Sequence, residues 1–262
     1  MTSLAGSGNL KLDVLAVGAH PDDVELGCGG TLARLASAGR AVGILHLTRG
    51  ERGTRGTAEE RRAEAEAAAA ALGAAAMDFL DCGDGGLRTG PPEEDSLIAK
   101  LRQWRPDLVL APAPHDRHPD HTRAHQLVEA ACFYAGLRHR GEGEPFRPAA
   151  MFAYMQHDLF EPSFVVDVTF SWEAKLASLR AYRSQLYQVE TRDGRDDRDG
   201  RDKEKRDGEP MTKVASPEFR LAVEGRARHF GLLIGAAFGE PFWSRGPLAV
   251  GDLLSILPGG VR

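Results

Sequence analysis

The 262-residue chain is poor in cysteine, has no long apolar run and carries no excess of positive charge. Its three cysteines, Cys28, Cys82 and Cys132, are widely spaced and odd in number, which argues against a disulfide framework or a thiolate zinc site. Because no run of about 18 apolar residues occurs, we expect no membrane partner. The formal net charge of −5 at pH 7 predicts that no nucleic acid is bound. Residues 1–9 lack the features of a secretory signal, so we expect a cytoplasmic protein.

Two common functional motifs are also missing. Gly27, Gly29 and Gly30 follow the first apolar run, but they do not have the G-x-G-x-x-G spacing that cradles a dinucleotide pyrophosphate. No G-x-S-x-G sequence is present, which argues against the nucleophile elbow of serine hydrolases. The glycines therefore indicate close backbone packing where a helix begins.

Six apolar runs bounded by turn residues predict strands that are buried on both faces of a sheet. They cover residues 12–19, 41–48, 76–80, 108–114, 151–155 and 164–168. Helix-like stretches lie at 31–38, 58–72, 95–104 and 217–234, and a closing segment that packs back on the domain at 243–254. The alternation of strands and helices favours an α/β fold, a Rossmann-like three-layer sandwich with a mostly parallel sheet. Ligands of such folds bind at the carboxyl ends of the strands.

One segment does not fit this pattern. Residues 191–209 contain fifteen charged side chains, seven positive and eight negative, and no apolar residue. Such a segment cannot bury enough apolar surface to fold alone, and its nearly balanced charge does not suit a nucleic-acid arm. We expect a solvated, disordered insertion in a single domain that spans residues 1–262.

The first apolar run leads directly into His20-Pro21-Asp22-Asp23, at the sheet edge where ligands are expected. An imidazole and a carboxylate three positions apart can bind one metal ion if the loop curls, and Pro21 restricts that loop. His20 and Asp23 are thus the first two candidate ligands. The alternative interpretation is a polar turn in which an aspartate caps the following helix.

A dense histidine cluster follows the fourth apolar run. His115, His118, His121 and His125 lie close together, although the whole chain has only nine histidines. Since neighbouring parallel strands bring their carboxyl ends together, one of these histidines can complete a site with three protein ligands and one open position. A pair of surface histidines in a Pro-Asp loop is the structural alternative.

Two histidines, one aspartate and a water molecule form a typical hydrolytic metal site, for which Zn²⁺ is the default ion and Fe²⁺ the alternative. Asp22 or Asp23, whichever does not bind the metal, can act as general base. His118, two residues from Asp120, fits a group that donates an N–H to an oxyanion. Asp120 has an alternative role as the cap of the helix that begins near His121.

The two motifs resemble the signature of the PIG-L/LmbE-type zinc N-acetylglucosamine deacetylases. The similarity covers AHPDD, HPDH about a hundred residues later, and the segments PSFVVDVT, EGRARHFG and RGPLAVGDLL. Within this family the chain is most similar to the bacillithiol-biosynthesis deacetylases. The resemblance implies an LmbE-like fold, a homo-oligomer and a small-molecule substrate, N-acetylglucosaminyl-malate, from which acetate is removed.

The resemblance also implies a role for each matching residue. Zn²⁺ would be bound by His20, Asp23 and His121, with Asp22 as general base, His118 as the oxyanion-stabilising or acid group, and Asp120 as the residue that orients His118. Arg61 matches an arginine that the family places at the active site, where a guanidinium suits a malate carboxylate or the developing oxyanion.

Glu51 lies in the loop after the second apolar run, at the sheet edge that lines the cleft. It is a candidate for binding sugar hydroxyls, with a solvated loop carboxylate as the alternative.

Two other functions remain open. One is a deacetylase or amidase of another glucosaminide, such as a mycothiol precursor or a chitooligosaccharide. The other, suggested by the βαβ pattern alone, is a nucleotide-binding Rossmann protein without hydrolytic chemistry.

Overall fold

Seven strands form one sheet in the computed structural model, which describes residues 10–186, 210 and 212–252. The strands are β1 (Val14–Gly18), β2 (Val42–His46), β3 (Ala76–Phe79), β4 (Leu108–Pro112), β5 (Ala150–Tyr154), β6 (Phe164–Asp167) and β7 (Gly239–Trp243). Their order is β3-β2-β1-β4-β5-β7-β6, and β1 to β5 pair in parallel while β7 is antiparallel to both neighbours. The predicted mostly parallel α/β fold is confirmed. The predicted insertion at 191–209 and the end of the closing segment, 253–254, lie outside the described residues.

Helices cover both faces of the sheet. They are α1 (Asp23–Ser37), α2 (Ala58–Ala71), α3 (Pro91–Trp104), α4 (Pro119–Tyr134), α5 (Trp172–Ala181) and α6 (Pro217–Leu233), with a 3₁₀ turn at Thr169–Ser171. Side chains of β1 alternate between two cores, since Leu15 and Val17 pack with α3 and α4 whereas Val14 and Ala16 pack with α1. Within the described ranges, no helix is both long and apolar enough to cross a bilayer.

One element differs from the sequence prediction and two were missed. α1 begins at Asp23 rather than at residue 31, so the glycines lie inside it and not before it. β7 was missed because it contains Pro241, which argues against a strand in a sequence pattern. Pro241 lies outside the part of β7 that pairs with β5 and is opposite only Val165 of β6. α5 is a ten-residue helix that the sequence pattern did not reveal.

The glycines of α1 allow close packing, as expected, but in the middle of the helix. A Cβ atom on Gly27 would lie 2.1 Å from the ring of Tyr154, whose hydroxyl donates a hydrogen bond to the Val17 carbonyl at 2.8 Å. Any side chain at position 27 would displace this ring, so glycine is required there. The first turn of α1 is thereby held against the carboxyl ends of β1 and β5.

α1 is kinked at Cys28, whose φ of −142° is not helical. The kink frees the Leu26 carbonyl, which accepts hydrogen bonds from Lys175 and Arg226, both at 3.0 Å. It also frees the backbone N–H groups of residues 30 and 31, which donate to the Glu240 carboxylate at 2.9 and 2.7 Å. Buried ionic side chains therefore replace the helical hydrogen bonds that the kink removes.

Because Lys175 and Glu240 form an ion pair whose side chains are each only 2% exposed, we expect Lys175→Met to leave a buried uncompensated carboxylate. The free energy of unfolding should fall by about 3–5 kcal/mol, measured by urea denaturation. Lys11→Met removes an exposed ion pair with Asp107 and serves as the control, with an expected change of about 0.5 kcal/mol or less. Equal effects of the two substitutions would contradict the role of the buried pair.

Candidate active site

The loop after β1 is shaped by Asp22, which has a φ of 100° in the left-handed region. Aspartate tolerates this conformation better than most side chains, because its short polar group is less hindered. The side chain of Asp22 makes no capping hydrogen bond, so the expected alternative of a helix cap does not apply to it. The turn instead brings Asp23 back toward the loop, where its Oδ2 atom accepts a hydrogen bond from the His20 backbone N–H at 2.7 Å.

The loop after β4 begins α4 with His118 as its N-cap. The Nδ1 atom of His118 accepts a hydrogen bond from the Asp120 backbone N–H at 3.2 Å. An imidazole that accepts at Nδ1 carries its proton on Nε2, so this contact sets the tautomer that donates from Nε2. The expected helix-capping role of Asp120 is wrong, because the cap is the histidine.

β1 and β4 are neighbours in the sheet, and their two loops converge on Asp23. Its Oδ1 atom lies 3.2 Å from Nε2 of His121, and its Oδ2 atom lies 3.4 Å from Nδ1 of His20. The ring of His118 lies 4.7 Å from that of His121 and 4.9 Å from that of His20, measured between centroids. The structure thus brings together residues that are about a hundred positions apart in the sequence.

The outer nitrogens of the two histidines face carboxylates. Nε2 of His20 lies 3.2 Å from Asp84 and 3.3 Å from Asp120, and Nδ1 of His121 lies 3.0 Å from Asp116. Metal-binding histidines characteristically direct their second nitrogen to a carboxylate or carbonyl, which fixes the ring and its tautomer. Two imidazoles supported in this way, with a carboxylate between their inner nitrogens, fit a divalent metal ion.

The side chain of Asp120 does not reach His118, which corrects the expected orienting role of its carboxylate. One oxygen faces His20, and the other accepts hydrogen bonds from the Leu87 backbone N–H at 3.0 Å and from Arg123 at 3.2 Å. Asp120 lies in the first turn of α4, where its side chain points away from the cap. Its hydrogen bond to His118 comes from its backbone N–H, and its carboxylate acts on His118 only through its charge.

Arg61 is 4% exposed, and protein groups occupy most of its guanidinium. Nη2 donates to the Pro21 carbonyl at 2.7 Å and lies 3.7 Å from Oδ2 of Asp22, and Nη1 donates to the Gly50 carbonyl at 3.3 Å. These contacts hold the loop after β1 and place a positive charge beside Asp22. Arg61 also lines the cavity, and its expected contact with a malate carboxylate or the developing oxyanion stays a prediction.

Glu51 is exposed and is not among the residues that line the cavity, so its expected contact with substrate stays a prediction. Its carboxylate accepts hydrogen bonds from the backbone N–H groups of Arg49 at 3.0 Å and Asp84 at 2.9 Å. Asp84 in turn accepts from the backbone N–H of Arg52 at 2.7 Å. Glu51 therefore ties the loop after β2 to the loop after β3 and holds Asp84 beside His20.

Four residues of the site were missed by the sequence analysis, namely Asp84, Asp116, Gln156 and His157. Asp116 lies within the histidine-rich loop itself, and the other three follow the carboxyl ends of β3 and β5. The rule that placed ligands after β1 and β4 would have singled out these loops if it had been applied to β3 and β5.

Two other histidines of the cluster stay outside this arrangement, as expected. His115 is exposed, and Nδ1 of His125 bonds to the Pro112 carbonyl at 2.8 Å. Cys28 is fully buried in the core around α1, which agrees with a packing role.

The environment of the site changes the pKa of several groups. Burial raises the pKa of Asp22 to about 7, although the nearby Arg61 guanidinium lowers it. Burial also lowers the pKa of His118, and the charges of the neighbouring His20 and His121 lower it further. For His121 the effect of burial is outweighed by Asp23 and Asp116, and its pKa is raised to about 9. The carboxylates around His20 and His121 therefore favour positive charge at the centre of the site.

These side chains surround an open cavity with an empty volume of about 810 Å³, including the part open to solvent. Ionisable side chains from the loops after β1, β3, β4 and β5 line the cavity. The loop after β2 contributes Arg52, Gly53 and Thr54. No glycine-rich phosphate cradle follows β1, so the nucleotide-binding alternative gains no support from the site.

Comparison with known proteins adds independent findings. The sequence profile of the PIG-L family, described as GlcNAc-PI de-N-acetylase, matches residues 15–132. Diacetylchitobiose deacetylase of Thermococcus kodakarensis is 32% identical over 66% of this chain and 69% of its own length. A 1D-myo-inositol 2-acetamido-2-deoxy-alpha-D-glucopyranoside deacetylase of Thermomonospora curvata is 28% identical over 66% of this chain and 80% of its own. 4-Oxalmesaconate hydratase of Pseudomonas putida is 30% identical over 68% of this chain and 76% of its own.

Two solved structures have a similar fold. A conserved protein from Thermus thermophilus, TT1542, is 40% identical, with a TM-score of 0.79, and the match covers 92% of this chain and 98% of that one. N,N'-diacetylchitobiose deacetylase from Pyrococcus horikoshii is 26% identical, with a TM-score of 0.70, over 87% of this chain and 82% of that one. The fold is thus shared with a solved deacetylase of an N-acetylglucosamine compound.

The geometry predicts that the protein binds one divalent transition-metal ion per chain and that His121→Ala loses it, because one of two imidazoles facing Asp23 is removed. Elemental analysis of the purified protein measures this directly. His125→Ala is the matched control, since His125 lies on the same helix but bonds to a backbone carbonyl. A metal content of zero in the unaltered protein, or an unchanged content in His121→Ala, would count against the site.

Proposed function

The chain belongs to the PIG-L family, and from that premise we propose that it is a metal-dependent hydrolase that removes acetate from N-acetylglucosaminyl-malate. The relatives that match it include deacetylases of N-acetylglucosamine compounds, which supports hydrolysis of an acetamide. The observation that carries the proposal is the convergence of His20, Asp23 and His121, with Asp22 beside them at the cavity.

In this proposal His20, Asp23 and His121 hold the metal, and Zn²⁺ suits two imidazoles and one carboxylate, with Fe²⁺ as the alternative. The ion, when bound, supplies a Lewis acid for the acetamide carbonyl and a water molecule of lowered pKa. Asp84, Asp116 and Asp120 keep the two histidines in place through their outer nitrogens. The remaining chemistry belongs to Asp22 and His118.

Asp22 is the general base. It lines the cavity, lies directly before Asp23 in the loop, and makes no helix-capping hydrogen bond that would occupy its carboxylate. A pKa of about 7 keeps a large fraction of the carboxylate ionised near neutral pH while leaving it basic enough to accept a proton. The strained φ of 100° holds this side chain in place for the reaction.

His118 stabilises the oxyanion that forms on the acetamide oxygen. Its Nδ1 atom is occupied by the Asp120 backbone N–H, so its Nε2 atom donates. Burial and two neighbouring histidines lower its pKa, which favours the neutral ring. A neutral donor stabilises developing negative charge without first delivering a proton, which favours the oxyanion role over the acid role. The proton that Asp22 takes from the water molecule passes to the amine nitrogen as the carbon–nitrogen bond breaks.

A positive charge at the mouth of the cavity favours a substrate whose sugar carries the anionic malate group. Arg52 lines the cavity and is exposed, and its backbone N–H is fixed by Asp84. In the part of the chain that the structure describes, its guanidinium has no hydrogen bond or ion pair of its own. A guanidinium in this position suits a carboxylate, and N-acetylglucosaminyl-malate carries two.

Acetate release from a panel of N-acetylglucosaminides by the metal-loaded enzyme tests the proposal. We expect the malate glycoside to have the highest kcat/KM, above methyl N-acetylglucosaminide, diacetylchitobiose and the inositol glycoside, because only the malate glycoside is anionic. If the enzyme releases acetate from none of the compounds in the panel, the deacetylase function is refuted. A preference for a neutral glycoside would instead refute the malate assignment and leave the deacetylase function standing.

Arg52→Ala provides the matched variant for this panel. The substitution is at an exposed position and should raise KM for the malate glycoside while leaving the methyl glycoside unchanged. Arg34→Ala, an exposed arginine on α1 at the far end from the cavity, is the control.

The relative that is a hydratase provides a second candidate function. 4-Oxalmesaconate hydratase matches this chain over a similar length to the deacetylases, so the scaffold is compatible with addition of water to a carbon–carbon double bond. A conjugated enoic diacid should be added to the panel, with loss of its ultraviolet absorbance as the readout. Hydration without acetate release would favour this second function over the first.

We expect Arg61→Met to move the acid limb of the kcat/KM profile to higher pH by about one pH unit. Arg61 lowers the pKa of Asp22, and Asp22 acts as a base in its ionised form, so loss of Arg61 raises the pH that is needed to ionise it. Arg62→Met, at an exposed position that pairs with Glu66, should leave the profile unchanged. A limb that stays in place, or moves to lower pH, would argue against Asp22 as the base.

A further inference from the structure

Gln156 follows the carboxyl end of β5 and is 6% exposed. Its Nε2 atom donates a hydrogen bond of 2.6 Å to Oδ1 of Asp23. The amide must face Asp23 with its nitrogen, since an amide oxygen in this position would repel the carboxylate. We propose that Gln156 is a positioning residue that fixes the Asp23 carboxylate for binding a divalent metal ion, an inference that rests on the proposed function.

The contacts of Asp23 show what Gln156 adds. Oδ2 accepts from the His20 backbone N–H at 2.7 Å, and Oδ1 accepts from Gln156 at 2.6 Å. One donor on each oxygen fixes the rotation of the carboxylate plane, and each oxygen keeps a lone pair for other partners. Without Gln156 only one oxygen would be held, and the carboxylate would be free to rotate away from Nε2 of His121.

The backbone of Gln156 is anchored as well. The guanidinium of Arg226, from α6, donates to the Gln156 carbonyl and, at 3.0 Å, to the Leu26 carbonyl. Leu26 lies three positions after Asp23 in α1, and its carbonyl is the one that the kink frees from helical hydrogen bonding. Arg226 thereby ties the residue that orients Asp23 to the helix that carries Asp23.

Packing alone does not account for a glutamine here. The Oε1 atom of Gln156 is buried and has no hydrogen-bond partner among the residues that the structure describes. A buried carbonyl oxygen without a partner is destabilising, so an apolar side chain of similar size would suit a purely structural position better. The hydrogen bond from Nε2 to Asp23 is the contact for which the amide is needed.

Zn²⁺ affinity tests the proposal without relying on turnover. The metal is titrated into the protein in competition with a fluorescent chelator, for the unaltered chain, Gln156→Leu and Gln156→Asn. Leucine removes the donor at similar volume, and asparagine keeps an amide but retracts it by one methylene group. Both variants should bind Zn²⁺ about 10–100-fold more weakly, as is typical when a partner of a metal ligand is lost.

Gln185→Leu is the matched control, since Gln185 is also buried at 8% exposure but donates to the Arg55 carbonyl and not to a proposed ligand. Far-UV circular dichroism and thermal unfolding establish which variants fold, and Gln156→Asn decides the result if Gln156→Leu does not fold. In assays at saturating Zn²⁺, kcat of the Gln156 variants should recover toward that of the unaltered enzyme, with KM little changed.

The outcomes separate this inference from the proposed function. If the unaltered chain binds no Zn²⁺, the metal-dependent hydrolase and the role of Gln156 both fail. If it binds Zn²⁺ and releases acetate while the Gln156 variants bind Zn²⁺ as tightly as Gln185→Leu, the role of Gln156 alone is overturned. Weaker binding that is confined to the Gln156 variants supports it.

Discussion

The site depends on a single buried carboxylate, Asp23, which is held between two imidazoles. Removing an ionised carboxylate from water is costly unless hydrogen bonds and opposite charge compensate, and Asp23 is only 4% exposed. Donors from His20 and Gln156 supply the hydrogen bonds, and two histidines supply the opposite charge. Burial opposes ionisation of Asp23, but these histidines hold its pKa well below the usual range. The same balance makes the centre of the site a favourable place for a cation.

The kink of α1 is the structural condition for this arrangement. In an uninterrupted helix the backbone groups at the kink would bond to each other. They would then not be available to Lys175, Glu240 and Arg226. Because the kink exposes a carbonyl on one side and N–H groups on the other, α5, α6 and β7 can attach to α1 through charged side chains. The first turn of α1 is then fixed both by the tight contact at Gly27 and by these bonds. Stability of the core and geometry of the site are therefore coupled through one helix.

Sequence patterns located the loops of the site but not the direction of each side chain. The apolar runs predicted six strands, and the two motifs after β1 and β4 predicted that His20 and Asp23 meet histidines of the second loop. The family resemblance, and not the spacing, selected His121 among them as the ligand. The Asp120 carboxylate contacts His20 and not His118, and the contacts of Arg61 with two backbone carbonyls were not predicted. Spacing along the chain does not say which neighbour a carboxylate or a guanidinium will meet. Glu51 and Asp84 illustrate the same limit: the loop after β2 does contribute to the site, but through a backbone hydrogen bond to Asp84. β7 was missed because of Pro241, which is tolerated because it lies beyond the residues of β7 that pair with β5.

The fold does not by itself decide the reaction, since a hydratase and deacetylases match the same chain over similar lengths. Hydration of a double bond and hydrolysis of an amide both need an activated water molecule, but they differ in where negative charge develops. Amide hydrolysis places that charge on the former carbonyl oxygen, and a neutral N–H donor beside the proposed metal ligands can stabilise it. His118 has this character because the Asp120 backbone N–H occupies its Nδ1 atom. The tautomer of one histidine, set by one backbone contact at the start of α4, is thus the feature of the site that most favours acyl chemistry.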